Sequence, residues 1–133
     1  MDGAEAAIEF YKKAFNATET LRMTSPENGK IMHAEIRIGD SPIMMGNEMR
    51  EMGYLGPKAH GGTPVSLYLY VKDVDSLFKQ AIEAGAVEQR PVADQFYGDR
   101  MGTLIDPFGH VWHLSTHIKD MSYEEMKEAM PTS

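Results

Sequence analysis

The stretch that most limits what this chain can fold into lies near its C-terminal end: Tyr97-Gly98-Asp99-Arg100-Met101-Gly102-Thr103-Leu104-Ile105-Asp106-Pro107-Phe108-Gly109-His110-Val111-Trp112-His113-Leu114. Met101, Thr103 and Ile105 alternate with Gly102 and Leu104, the pattern of a largely buried strand. Asp106-Pro107-Phe108-Gly109 predicts a turn, because proline presets φ, aspartate bonds its own backbone and glycine accepts a positive φ. Val111 to Thr116 resumes an extended run. A hairpin with two mostly apolar arms must be covered, so it belongs in a sheet with a helix layer on one face.

The remaining chain supplies such layers. Ala4, Ala7, Ile8, Tyr11 and Phe15 recur at three- and four-residue steps, predicting a helix over residues 2–15 capped by Asp2. A short strand over 19–23 and a turn at Ser25-Pro26-Glu27-Asn28-Gly29 follow. Ile31 to Ile38 alternates cleanly, with Met32, Ala34, Ile36 and Ile38 on one face and His33, Glu35 and Arg37 on the other. Gly39-Asp40 turns into a strand over 42–46. Residues 48–63 hold five Gly and Pro positions and no periodicity, and read as a connector that could serve as a flap. Val65 to Val71 is a strand, Asp73 to Ala84 a helix stopped by Gly85, and residues 87–92 a strand. Ser122-x-x-Glu125 opens a short acidic helix to Met130 that packs on an edge or on a partner subunit.

The order repeats. Residues 2–47 form a first module, 48–64 a connector, 65–118 a second module and 119–133 a helical tail, within one domain over 1–133. The second module opens with the strand 65–71, and the first has no counterpart before Asp2. The net charge of -7 and the lack of a Lys/Arg cluster argue against nucleic acid. No Cys is present, which removes disulfides, thiolate metal sites and cysteine nucleophiles. No signal peptide or membrane span is evident, so a cytoplasmic protein with no membrane partner is expected.

Tyr-Gly-Asp-Arg, a short strand, Asp-Pro-Phe-Gly-His and Trp-x-Leu together resemble the closing hairpin of the vicinal oxygen chelate superfamily, which includes glyoxalase I, bleomycin-resistance proteins and extradiol dioxygenases. Its PhnB-like subgroup is the best match, over residues 2 to about 130. The resemblance implies an α+β fold of two tandem βαβββ modules, forming a curved mixed sheet around a concave cavity with helices on the outer face. The opening strand of the first module exists in the superfamily. Here it either lies upstream of the first residue or another segment covers the edge, since an open edge is a liability. The superfamily holds enzymes and pure binders, so the fold alone does not choose between them.

Helices need apolar partners, so Met32/Ala34/Ile36/Ile38 and Leu67/Leu69/Val71 are expected to face them. His33, Glu35 and Arg37, then Ser66, Tyr68 and Tyr70, and His113, Ser115 and His117 are left for the concave side, with Trp112 in the core. His110, His117 and His60 are expected at the surface. Metal-dependent relatives hold one divalent ion with four His/Glu/Gln-type ligands. Carried over from the resemblance, the first position falls on the absent strand and the others at Met44, Ser66 and His113, of which only His113 is a plausible ligand. The candidate ligand-binding residues are His33, Glu35, Met44, Ser66, Tyr68, Tyr70, Tyr97, Arg100 and His113. Asp99-Arg100 reads either as an ion pair at the hairpin's entry or as an anion-binding Arg at the mouth of the pocket.

Three functions follow as expectations. The first is metal-independent binding of a small molecule by a homodimer, with no cofactor. The second is a lyase, isomerase or dioxygenase-like enzyme with one divalent ion relocated to His33, Glu35 and His113. The third is a metal-free isomerase or lyase with His113 or Glu35 as general base.

Overall fold

A computed structural model of the chain describes residues 1–131. Helix α1 (Ala4–Phe15) is followed by β1 (Thr18–Thr24), β2 (Ile31–Ile38) and β3 (Ser41–Met45). Two single 3-10 turns, Arg50–Met52 and Pro57–His60, interrupt the connector. Then come β4 (Ser66–Tyr70), α2 (Val74–Ala84), β5 (Val87–Asp94), β6 (Asp99–Ile105), β7 (Val111–His117) and α3 (Tyr123–Ala129). The strands make two sheets, ordered β1-β2-β3 and β4-β7-β6-β5. Only β4 and β7 are parallel, and all other pairs are antiparallel. The tandem βαβββ plan is therefore present, with its first strand lacking among the described residues.

That vacancy is covered at one end. The Met1 ammonium donates to the Gly46 carbonyl at 2.7 Å, and the Glu48 amide donates to the Met1 carbonyl at 2.8 Å. This is one bridge of a parallel pair, the relation that β4 bears to β7. The cap of α1 differs from expectation for the same reason. Gly3, not Asp2, precedes the helix, and the Ala4 amide donates to Asn47 Oδ1 at 2.8 Å. A side chain 43 residues away thus does the work of a local N-cap.

Leu69, Val74, Phe78, Leu104, Trp112 and Leu114 join Ile8, Tyr11, Phe15, Ala34, Ile36 and Ile38 in one continuous core. Trp112 is buried, and rings of α1 lie on it, Phe15 at 4.7 Å and Tyr11 at 5.5 Å between centroids. The helix of the first repeat therefore packs on a strand of the second. Met32 departs from its expected place beside Ala34. The β1/β2 register slips between Met23 and Thr24, so Ile31 turns inward and Met32 is left exposed. The α3 capping box forms as expected, yet the helix has no buried residue. Among the described residues no helix is long and apolar enough to cross a membrane.

The turn of the closing hairpin is held by the buried carboxylate of Asp106. Its Oδ1 accepts the amides of Phe108 at 2.8 Å and His110 at 3.0 Å. Its Oδ2 accepts the Tyr11 hydroxyl at 2.6 Å and the Trp112 indole N–H at 2.9 Å. His110 is half-buried rather than at the surface, its Nε2 enclosed without a partner, and burial holds its pKa below the usual imidazole value.

Candidate functional site

The face of the second sheet turned away from the helices carries a connected set of polar side chains. Residues paired across neighbouring strands project to the same side. Tyr68 is paired with His113, and His113 with Thr103. The His113 ring is held at both edges, Nδ1 2.8 Å from Thr103 Oγ1 and Nε2 3.0 Å from Ser66 Oγ. With both nitrogens occupied, the imidazole presents its face. The Tyr68 ring lies 5.6 Å from it, tilted by 37°, and Tyr70 continues the row 5.2 Å further on. The two tyrosines are 45% and 62% exposed, so this aromatic row is open to solvent.

A second cluster closes one end of the face. Asp99 is only 4% exposed. Its Oδ2 accepts the Tyr70 hydroxyl at 2.8 Å and lies 3.5 Å from that of Tyr68, and its Oδ1 meets His117 Nδ1 at 2.9 Å. The other His117 nitrogen meets Asp120 at 2.6 Å. Burial would raise the Asp99 pKa, but the hydrogen bonds from His117 and Tyr70 outweigh it and hold the carboxyl below its usual range. The same contact raises the Tyr70 phenol, which must keep its proton to donate. Hydrogen bonds to Asp99 and Asp120 raise the His117 pKa. His117 is exposed, as expected, and is anchored through both ring nitrogens.

Arg100 stands apart from the other ligand-binding candidates of the second sheet. Neighbours along a strand point to opposite faces, so Asp99 and Arg100 do not pair. Arg100 turns to the helix side and bonds Asp75 in the first turn of α2 (2.9 and 3.0 Å) and Asp94 (3.0 Å). Tyr97 stays on the open side, where its hydroxyl meets Met101 Sδ at 3.4 Å and burial pushes its pKa up to about 12. His33, Glu35 and Met44 lie on the first sheet. Glu35 pairs with Met44 across β2/β3 and accepts the Thr20 hydroxyl at 2.9 Å, while Met44 is 67% exposed. Among the described residues no three His, Cys, Asp or Glu side chains gather as a metal site, so His33, Glu35 and His113 do not converge within one chain. Sequence reading missed Thr103, and named Asp99 only beside Arg100 rather than as the partner of His117 and Tyr70. Their signal was available in the hairpin register, which sets them opposite His113 and His117.

The profile of the Glyoxalase/Bleomycin resistance protein/Dioxygenase superfamily matches residues 2–114. The chain belongs to that superfamily. An uncharacterized protein of Mycobacterium tuberculosis is 40% identical over 133 residues, covering 98% of this chain and 78% of its own length. The crystal structure of TioX from Micromonospora sp. ML1 superposes with a TM-score of 0.66 at 27% identity, over 90% of this chain and 91% of TioX. A putative 3-demethylubiquinone-9 3-methyltransferase, PhnB protein, from Bacillus cereus shares the fold at 20% identity and a TM-score of 0.64, over 86% of this chain and 92% of its own.

Metal-dependent members of the superfamily raise the question of whether this donor set suits an ion. Ser66 offers a neutral hydroxyl already bonded to His113, both His113 nitrogens are engaged, and Met44 is a thioether on the other sheet. A hard or borderline divalent ion needs several imidazoles or carboxylates. The residues at the carried-over positions do not fit it.

Proposed function

We propose that the protein binds a small organic molecule on the open face of the second sheet, without a metal, in a crevice that a second copy of the chain completes. The observation that carries this reading is the prebuilt Ser66–His113–Thr103 row beside the exposed rings of Tyr68 and Tyr70. Its groups are fixed before any ligand arrives, which lowers the ordering cost of binding. Homodimerisation is supported by the apolar side chains left uncovered in both sheets, among them Leu21, Met23, Met44 and Tyr70.

Two measurements test the reading. Elemental analysis of protein purified without chelator should find no stoichiometric divalent ion. An ion that disappears in His113→Ala would overturn metal independence. A thermal-shift panel of planar neutral, anionic and cationic compounds should raise the unfolding midpoint for at least one class, since a ligand that binds only the folded state must stabilise it. Silence across the panel, or a strict monomer by sedimentation at all concentrations, would overturn binding and dimer respectively.

A further inference from the structure

The strand register extends the His113 row by one further residue. Arg90 of β5 is paired with Thr103, Thr103 with His113, and His113 with Tyr68, so four strands contribute one side chain each to a single line. The line spans three strand spacings, about 14 Å between its outer backbones. Ile105 and Val111 lie along one side of it, and Met101 and Ala93 along the other. Register shifts flank Arg90 in β5, so its side follows from its pairing with Thr103, and its charge lies near enough to Tyr97 to oppose the burial that raises that phenol.

Arg90 also stands apart in its pairing. Arg22 is bonded to Glu19 and Arg100 to Asp75 and Asp94. The Asp99 carboxylate is taken by Tyr70 and His117. Among the described residues of these strands, Arg90 and Glu88 lack a counter-ion, and Glu88 is paired with the buried Leu104 on the helix side, which leaves Arg90 as the unpaired charge of the open face. It is exposed at the sheet edge, at the end of a lane whose far end is an aromatic ring.

Resting on the small-molecule reading above, we propose that Arg90 anchors the ligand and that the ligand is a flat organic carboxylate. Its carboxylate takes the planar fork of the guanidinium through two parallel hydrogen bonds, a geometry lysine does not offer. Its body lies over His113 and ends against Tyr68, with the buried Thr103 holding the imidazole from beneath. Because the imidazole nitrogens are occupied, that body meets a ring face rather than an N–H, which selects an apolar planar scaffold of one or two rings.

The test is calorimetric titration with 2-naphthoate and with its neutral isostere 2-naphthamide. Wild-type protein should bind the acid at least tenfold more tightly than the amide. Arg90→Gln should erase that preference, with its fold checked by circular dichroism that matches the wild type. Arg90→Lys should restore part of it, and Tyr68→Leu should weaken both probes alike. Equal binding of acid and amide by the wild type, or a preference that survives Arg90→Gln, would overturn the anchor while small-molecule binding stands. Failure of the wild type to bind the acid would also overturn it, and binding in general is then judged by the broader panel.

Discussion

The open faces of the two sheets follow one plan and are finished differently. On the second, His113, Asp99 and His117 are each bonded across to neighbouring strands or to the tail. On the first, Glu35 holds the Thr20 hydroxyl, and Leu21, Met23 and Met44 stand exposed around it. A face of cross-bonded polar groups has fixed geometry and can discriminate between ligands by shape and hydrogen bonding. A face of flexible thioethers can adapt to whatever covers it. On the function proposed above, selectivity belongs to the second repeat and coverage to the first.

The largest test of how the repeats are joined is Asp106→Ala, which removes the acceptor shared by Tyr11, Trp112 and two turn amides. Hydrogen bonds to a charged group contribute about 1.5–3 kcal/mol each and are not additive. A loss of about 4 kcal/mol in urea unfolding is therefore expected. A loss under about 1 kcal/mol would mean that packing alone holds α1 to the hairpin. Next comes Gly102→Ala, whose added Cβ would lie 2.8 Å from both Phe78 and Val92. Overpacking of this kind costs about 1–3 kcal/mol, and a neutral result would show that α2 and β5 yield to the added methyl.

The functional side of the comparison is read by ligand affinity. For whichever compound the thermal panel identifies, His113→Ala should weaken binding about tenfold, or about 1.4 kcal/mol. Glu35→Gln should leave it within about twofold. Reversal of that order would move selectivity to the first repeat.

A smaller effect concerns the end of the second face. A histidine whose pKa is raised by folding stabilises the protein fully below its unfolded value and loses that contribution as pH rises through the elevated one. The unfolding midpoint should therefore decline as pH rises from 6.5 into the alkaline range, and His117→Gln should flatten this slope. Asp99 works at the other end: its lowered pKa gives a contribution that fades as acid protonates it. The smallest expected change is Met44→Ala, within about 0.5 kcal/mol for an exposed side chain, measured by the same urea unfolding.

Much of this architecture is legible from side-chain alternation. The period of two in residues 34–38 and 66–70 separates buried from open faces as found, because one residue cannot be moved without inverting the whole strand. It fails at Met32, where a bulge that no local pattern announces shifts the count. It also corrects the idea that Asp99 and Arg100, adjacent in sequence, form a pair: extended backbone drives them to opposite sides. Long-range partners were not legible. Nothing near Ala4 points to Asn47 as its cap, and Asp106 could be read as a turn residue without Tyr11, 95 positions away, being recognised as its donor.

Trp112 belongs to β7 of the second repeat and is roofed by Tyr11 and Phe15 of the first. It is the only tryptophan in the chain. Its emission therefore watches the seam rather than either half. If the repeats separated before melting, the indole would meet water and shift to the red while circular dichroism still recorded intact strands and helices.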